Sequence, residues 1–99
     1  MTQAMQTVGE DDHVTNMVAL VAEIARALVD TPESVSVEAI REGDGTVLRL
    51  RVAASDIGKV IGKQGRTARS LRTILAAASM KLRHRFSLDI VEEEGSQGA

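Results

Sequence analysis

From Val14 onward the chain moves between two hydrophobic rhythms. In "VTNMVALVAEIARALVD" the apolar residues Val14, Met17, Val21, Ile24 and Leu28 recur at steps of three or four, the spacing that lines one face of an α-helix. Asp30-Thr31-Pro32 ends that helix, because proline disfavours helical geometry in the residue before it. "SVSVEAIR" changes to period two at Val35, Val37 and Ala39, a rhythm that Ile40 interrupts. After the glycine-rich turn "EGDGT", "TVLRLRVA" resumes it, with Leu48, Leu50 and Val52 on one side and Arg49 and Arg51 on the other. The two segments predict a β-hairpin with one buried face and solvated arginines on the other.

The second half of the chain repeats the change of rhythm. "SDIGKVIG" predicts a short helix, with Ser55 as its N-cap, Asp56 favoured by the positive helix start, and Gly62 as its end. "RTARSLRTILAAASMKL" predicts a long one, in which Ala68, Leu71, Leu75, Ala78 and Leu82 form the apolar stripe and Arg66, Arg69 and Arg72 climb another side. "RFSLDIV" closes the series as a strand with Phe86, Leu88 and Ile90 inward. The order is helix, strand, strand, helix, helix, strand. A strand that returns after two helices lies most easily parallel to the one before them, giving an α+β fold: a three-stranded mixed sheet with helices on one face and a right-handed crossover.

Both ends fall outside this pattern. Residues 1–12 show no period and end in "EDD", so they read as a disordered lead-in; residues 92–99 belong to an acidic tail with no apolar content to fold around. One domain over residues 13–91 remains, about 80 residues, near the lower size limit for a self-sufficient core. Self-association would supplement it.

Composition removes several function classes. The chain has no cysteine, only two histidines (His13 and His84) and a single aromatic residue, Phe86. Disulfides, thiolate metal sites and a row of base-stacking aromatics are therefore excluded, and no metal or cofactor is implied. The start lacks the basic and apolar runs of a signal peptide, and no apolar stretch is long enough to cross a bilayer, so the expected location is cytoplasmic. His84, between Arg83 and Arg85 with no acid near it in sequence, reads as a surface residue at the strand entrance rather than a catalytic base. Asp56 is taken up by a cap position. No catalytic constellation is visible, and no enzyme or small-molecule substrate is expected.

The charge distribution points elsewhere. The net charge is −2, yet the stretch from Ile57 to Phe86 holds eight basic residues and no acid, so one end of the molecule should attract polyanions. At its centre "VIGKQG" sets Gly62 and Gly65 on either side of Lys63 and Gln64, immediately before the long helix, with Arg66 and Arg69 behind. A helix start offers unpaired N–H groups, and glycine lets a phosphate backbone come close enough to use them. The plainer reading makes Gly62 a helix C-cap and Gly65 the relief of a tight turn. A nucleotide-binding P-loop is excluded: from Gly58 the glycine spacing is one residue short, and Gln64 stands where a Ser or Thr should hold Mg²⁺.

"VIGKQG" between two helices, within this element order, resembles the K-homology (KH) domain of the bacterial, type II topology. "IGKQGRTARSLRT", Ile61 to Thr73, is similar in particular to the small stand-alone KhpA family. The resemblance implies single-stranded RNA as the partner, with Gly62, Lys63, Gln64 and Gly65 clamping the sugar-phosphate backbone and an apolar groove holding the bases. Ile57, Gly58, Val60 and Ile61 would belong to the preceding helix and groove, and Arg66 and Arg69 would add charge. It further implies an RNA chaperone that forms homodimers or pairs with KhpB, a larger KH-domain protein, with links to cell-wall synthesis and cell shape. Ala68 departs from the bulkier aliphatic residue that many KH domains carry there. The rival reading is a protein-interaction module, in which Ala76, Ala77 and Ala78 admit a second helix and the basic surface meets an acidic protein.

Overall fold

The computed structural model describes residues 10–93. Its elements are α1 (Glu10–Leu28), β1 (Ser36–Glu42), β2 (Gly45–Val52), α2 (Ile57–Ile61), α3 (Arg66–Leu82) and β3 (Arg85–Glu92). Single 3₁₀ turns at Pro32–Ser34, Ala54–Asp56 and Lys63–Gly65 lead into β1, α2 and α3. The sheet runs β1-β2-β3, antiparallel between β1 and β2 and parallel between β2 and β3. Helices cover one of its faces, as the αββααβ order predicts.

The hairpin register explains why Ile40 breaks the alternation of β1. Val37 and Ala39 sit opposite Leu50 and Leu48 on the helix-covered side, whereas Ile40 pairs with Val47 on the open side. On that open face Arg49 Nε donates to Asp89 Oδ2 at 3.2 Å, and Arg51 lies 3.8 Å from Glu38. The strand arginines are thus a paired, solvated face and add nothing to the basic end. On the covered face Leu48, Leu50 and Val52 are fully buried with Val21, Val60 and Leu75, and Phe86 and Leu88 of β3 complete the core. Each such side chain contributes about 1.5–3 kcal/mol of burial.

Several expectations need correction. The segment read as disordered through Asp12 is already helical from Glu10, since a run of acids suits the positive end of a helix. Residues 1–9 and 94–99, most of the lead-in and the acidic tail, lie outside the described residues. β3 continues to Glu92, opposite Val52, and Glu93 N–H donates to the Val52 carbonyl at 2.7 Å, so the sheet holds the chain past residue 91. On α1 the buried line passes through Val21 and Ala25 toward Val29 and leaves Leu28, the last residue of the helix, well exposed.

Two polar residues sit inside, where the sequence pattern had them at the surface or in a cap. Asp56, not Ser55, occupies the N-cap position of α2, and it makes no side-chain cap bond. Its carboxylate instead accepts from the Asp30 and Thr31 N–H groups at 3.1 and 3.0 Å, with 1% of the residue exposed. These donors are left over where α1 stops, and a buried donor without an acceptor is costly. His84 is also buried, 5% exposed, with Nε2 2.8 Å from Thr46 Oγ1 and its ring 4.7 Å from that of Phe86. Arg83 takes the left-handed conformation at φ 57°, ends α3 and directs His84 inward.

Candidate functional site

Asp56 ties the root of α2 to the end of α1, and Lys59 on α2 pairs with Asp30 at 3.4 Å. Val60, fully buried, anchors the same helix in the core. Three contacts therefore fix α2, and α2 fixes the loop that follows. Gly62 N–H closes the helix on the Gly58 carbonyl at 2.8 Å, and Gly65 N–H returns to the Gly62 carbonyl at 3.0 Å.

The loop backbone is unusual at three of its four residues. Gly62 has φ 80°, Gln64 φ 56° and Gly65 φ 74°. A Cβ at Gly62 would lie 2.8 Å from Thr67 N and would also strike the Thr67 side chain, so glycine is required there twice over. At Gly65 only the backbone angle demands it, for a Cβ would meet nothing within 4 Å. Gln64, a non-glycine residue in the left-handed region, costs about 1–2 kcal/mol relative to a helical conformation.

The side chains follow from that backbone. Lys63 and Gln64 stand exposed at the tip, and Gln64 Oε1 accepts from Arg66 Nη2 at 3.0 Å. No side chain caps the start of α3. Neither Lys63 nor Arg69 has an ion pair among the described residues, so the positive charge is open to a polyanion.

Beside the loop lies a groove of about 480 Å³. Ile61, Ala68 and Ala76 supply its apolar lining; Gly65, Arg69, Arg72 and Thr73 supply the rest. The structure thus brings Ile61, Gly65 and Arg69 together with the clamp residues. It does not bring Val60 to the surface: that residue serves the loop from within the core. Ile57 packs against the core from its edge, and Gly58 is exposed on α2. The small Ala68 is itself buried, so its missing bulk is groove volume rather than bare surface. Arg72, Thr73 and Ala76 were absent from the expected site; the recurrence of arginine at 66, 69 and 72 was the available signal for the first of them.

The KhpA/KhpB KH-domain model matches residues 18–90, from within α1 to the sixth residue of β3. The chain belongs to the KhpA/KhpB family of KH domains. Relatives named RNA-binding protein KhpA agree: that of Treponema pallidum is 50% identical over 80 residues, covering 80% of this chain and 99% of the relative. That of Halalkalibacterium halodurans is 47% identical over 76 residues, covering 77% and 100%. Among solved structures, Era of Aquifex aeolicus superposes with TM-score 0.52 at 20% identity, covering 78% of this chain and 30% of Era. A second Era structure, in complex with nucleotides 1506–1542 of 16S ribosomal RNA, gives TM-score 0.52 at 18% identity, covering 77% and 29%. The chain thus spans about a third of Era's length, and at such identity the likeness is one of fold.

KhpA/KhpB KH domains are not an enzyme family. Among the described residues no group of three or more His, Cys, Asp or Glu could hold a metal ion, and no helix is long and apolar enough to cross a membrane.

Proposed function

We propose that this KhpA/KhpB-family domain binds single-stranded RNA, with the Gly62–Gly65 loop gripping the sugar-phosphate backbone and the α3 groove receiving the bases. The observation that carries the reading is the loop itself: an exposed tip of Lys63 and left-handed Gln64, set before an uncapped helix start and beside an apolar groove, on a stretch without one acid. Phosphates meet N–H groups and cations; bases meet Ile61, Ala68 and Ala76. Gly62, Lys63, Gln64, Gly65, Arg66 and Arg69 form the backbone side of the site, Ile57, Gly58 and Ile61 the side toward the bases, and Val60 holds them from below. The KhpA relatives are named for RNA binding, and one structural neighbour was solved with ribosomal RNA.

The finer parts of the proposal have separate supports. Dimerisation, with a second copy or with KhpB, is supported by the outward face of α3, where Ile74 is 46% and Met80 82% exposed on either side of Ala77. A cytoplasmic location suits an RNA-binding chain without cysteine. An RNA-chaperone role and a link to cell-wall and cell-shape control rest on the family resemblance.

The test of RNA binding is a titration with one labelled single strand and its duplex across a range of salt. Single-strand affinity should exceed duplex affinity, and log affinity against log salt should fall with a slope of about −2 to −3, for three or four phosphates at about −0.7 each. A flat response, or tighter binding to duplex, sinks the RNA reading and favours an acidic protein as the partner.

A further inference from the structure

Of the eight basic residues between Ile57 and Phe86, five belong to α2, the loop and the first half of α3. Lys59 pairs with Asp30, Arg66 donates to Gln64, and Arg72 Nη2 donates to the Leu88 carbonyl at 3.1 Å, while Lys63 and Arg69 face the candidate site. Lys81, Arg83 and Arg85 remain, gathered where α3 ends and β3 begins. All three are exposed, and none makes an ion pair among the described residues. Glu42 stands at the same end of the sheet, since Glu42, Gly45 and Arg85 share one row of the register, and Asp44 lies in the adjoining turn. Neither acid pairs with the three cations, whose charge stays open to solvent.

The backbone is arranged to present them. Arg83 closes α3 at φ 57°, a left-handed position where glycine is the common occupant, so the chain keeps a cation against the local backbone preference. His84 turns inward and leaves Arg83 and Arg85 outward on either side of it. At Gly45 a Cβ would lie 2.8 Å from the Arg85 carbonyl oxygen and 2.9 Å from its Cβ, so β2 opens with the one residue that lets Arg85 close up against the sheet. Lys81 suits the negative end of the helix, a structural task that Arg85, already in β3, does not share.

Resting on the single-stranded RNA reading above, we propose that Lys81, Arg83 and Arg85 form a second phosphate-binding surface, which takes a further stretch of the same RNA backbone after the strand leaves the loop. The 17 residues of α3 set this corner about 25 Å from the loop, at about 1.5 Å of rise each. That is well beyond a screening length of about 8–10 Å, so the corner acts on phosphates that reach it and not on a short strand held at the loop. At about 3.4 Å per nucleotide of a stacked strand, about seven nucleotides beyond the four at the loop cover the distance. Contacts to phosphate carry no sequence information, so the corner adds affinity with strand length and no base preference.

The test titrates the wild type and a Lys81→Gln, Arg83→Gln, Arg85→Gln triple variant with uracil strands of about 4 and about 12 nucleotides, after melting curves have shown that the variant folds. The short strand should bind both proteins within about twofold, while the long strand should bind the variant at least about fivefold more weakly, with a salt slope shallower by about 1.4–2.1 for two or three lost phosphates. The extra registers open to a longer strand are the same for both proteins and cancel in that comparison. Arg83→Gly relieves the left-handed residue and removes one cation, so its melting temperature should rise while its affinity for the long strand falls about two- to threefold, a pairing that a structural role does not give. A triple variant that weakens both lengths by one factor, or neither, overturns the second surface and leaves RNA binding at the loop intact. A wild type that binds neither strand overturns both.

Discussion

Gly58, Gly62 and Gly65 share one short stretch, yet a methyl group would do something different at each. At Gly62 it collides with the Thr67 backbone, so Gly62→Ala should cost about 2 kcal/mol or more and distort the loop. At Gly65 there is space, and Gly65→Ala should cost only the left-handed penalty, about 1 kcal/mol. Gly58 has neither a positive φ nor a neighbour within 4 Å, so Gly58→Ala should leave stability unchanged or raise it by up to about 1 kcal/mol. Urea denaturation of the three variants checks this order, and a Gly58→Ala that unfolds the domain would contradict the packing described here. Asp56 carries a different load. Asp56→Ala strands the Asp30 and Thr31 N–H groups and should cost about 2–4 kcal/mol, while Asp56→Asn, which keeps one acceptor, should cost less. Equal melting temperatures for wild type and Asp56→Ala would show that the carboxylate holds nothing.

At the scale of elements, periodicity was a good guide wherever one face decides the fold. α3 begins and ends where "RTARSLRTILAAASMKL" does, its Ala68-Leu71-Leu75 stripe is buried, and Leu48, Leu50 and Val52 alternate inward as written. His84 could have been read from the same rule, for it continues the inward series of Phe86 and Leu88 by two residues; its charged neighbours obscured it. Asp56 could not, because its partners lie 25 and 26 residues away and neither is a motif residue. The glycines of the candidate site were legible, but the left-handed Gln64 and the reach of Arg72 to β3 depend on the loop and strand meeting in space. α3 also gives the element-level test of assembly. If its exposed Ile74-Ala77-Met80 face joins two copies, sedimentation at tens of micromolar should show a dimer, and Met80→Glu should shift it to monomer. A wild-type monomer under those conditions removes the homodimer and leaves only a mixed pair.

Across the whole molecule the decisive property is the separation of charge, which a net charge of −2 conceals. The acids lie in the flanks, in α1, on the hairpin and along β3 beyond Phe86, where Asp30 and Asp89 are paired with Lys59 and Arg49. The basic surface at the loop and groove is therefore that of Lys63, Arg66 and Arg69, while Lys81, Arg83 and Arg85 lie at the far end of α3. The most direct measurement of its role replaces Lys63 and Gln64 together with aspartate, keeping both glycines, and titrates wild type and variant with the same single-stranded RNA. Two carboxylates at the tip would face the phosphates, so affinity should fall at least tenfold, about 1.4 kcal/mol, and the salt slope should become shallower. Stability should change by about 0.5 kcal/mol or less, since both positions are exposed. Unaltered RNA affinity and salt slope in a variant that melts like the wild type would contradict the account and reduce the loop to a turn.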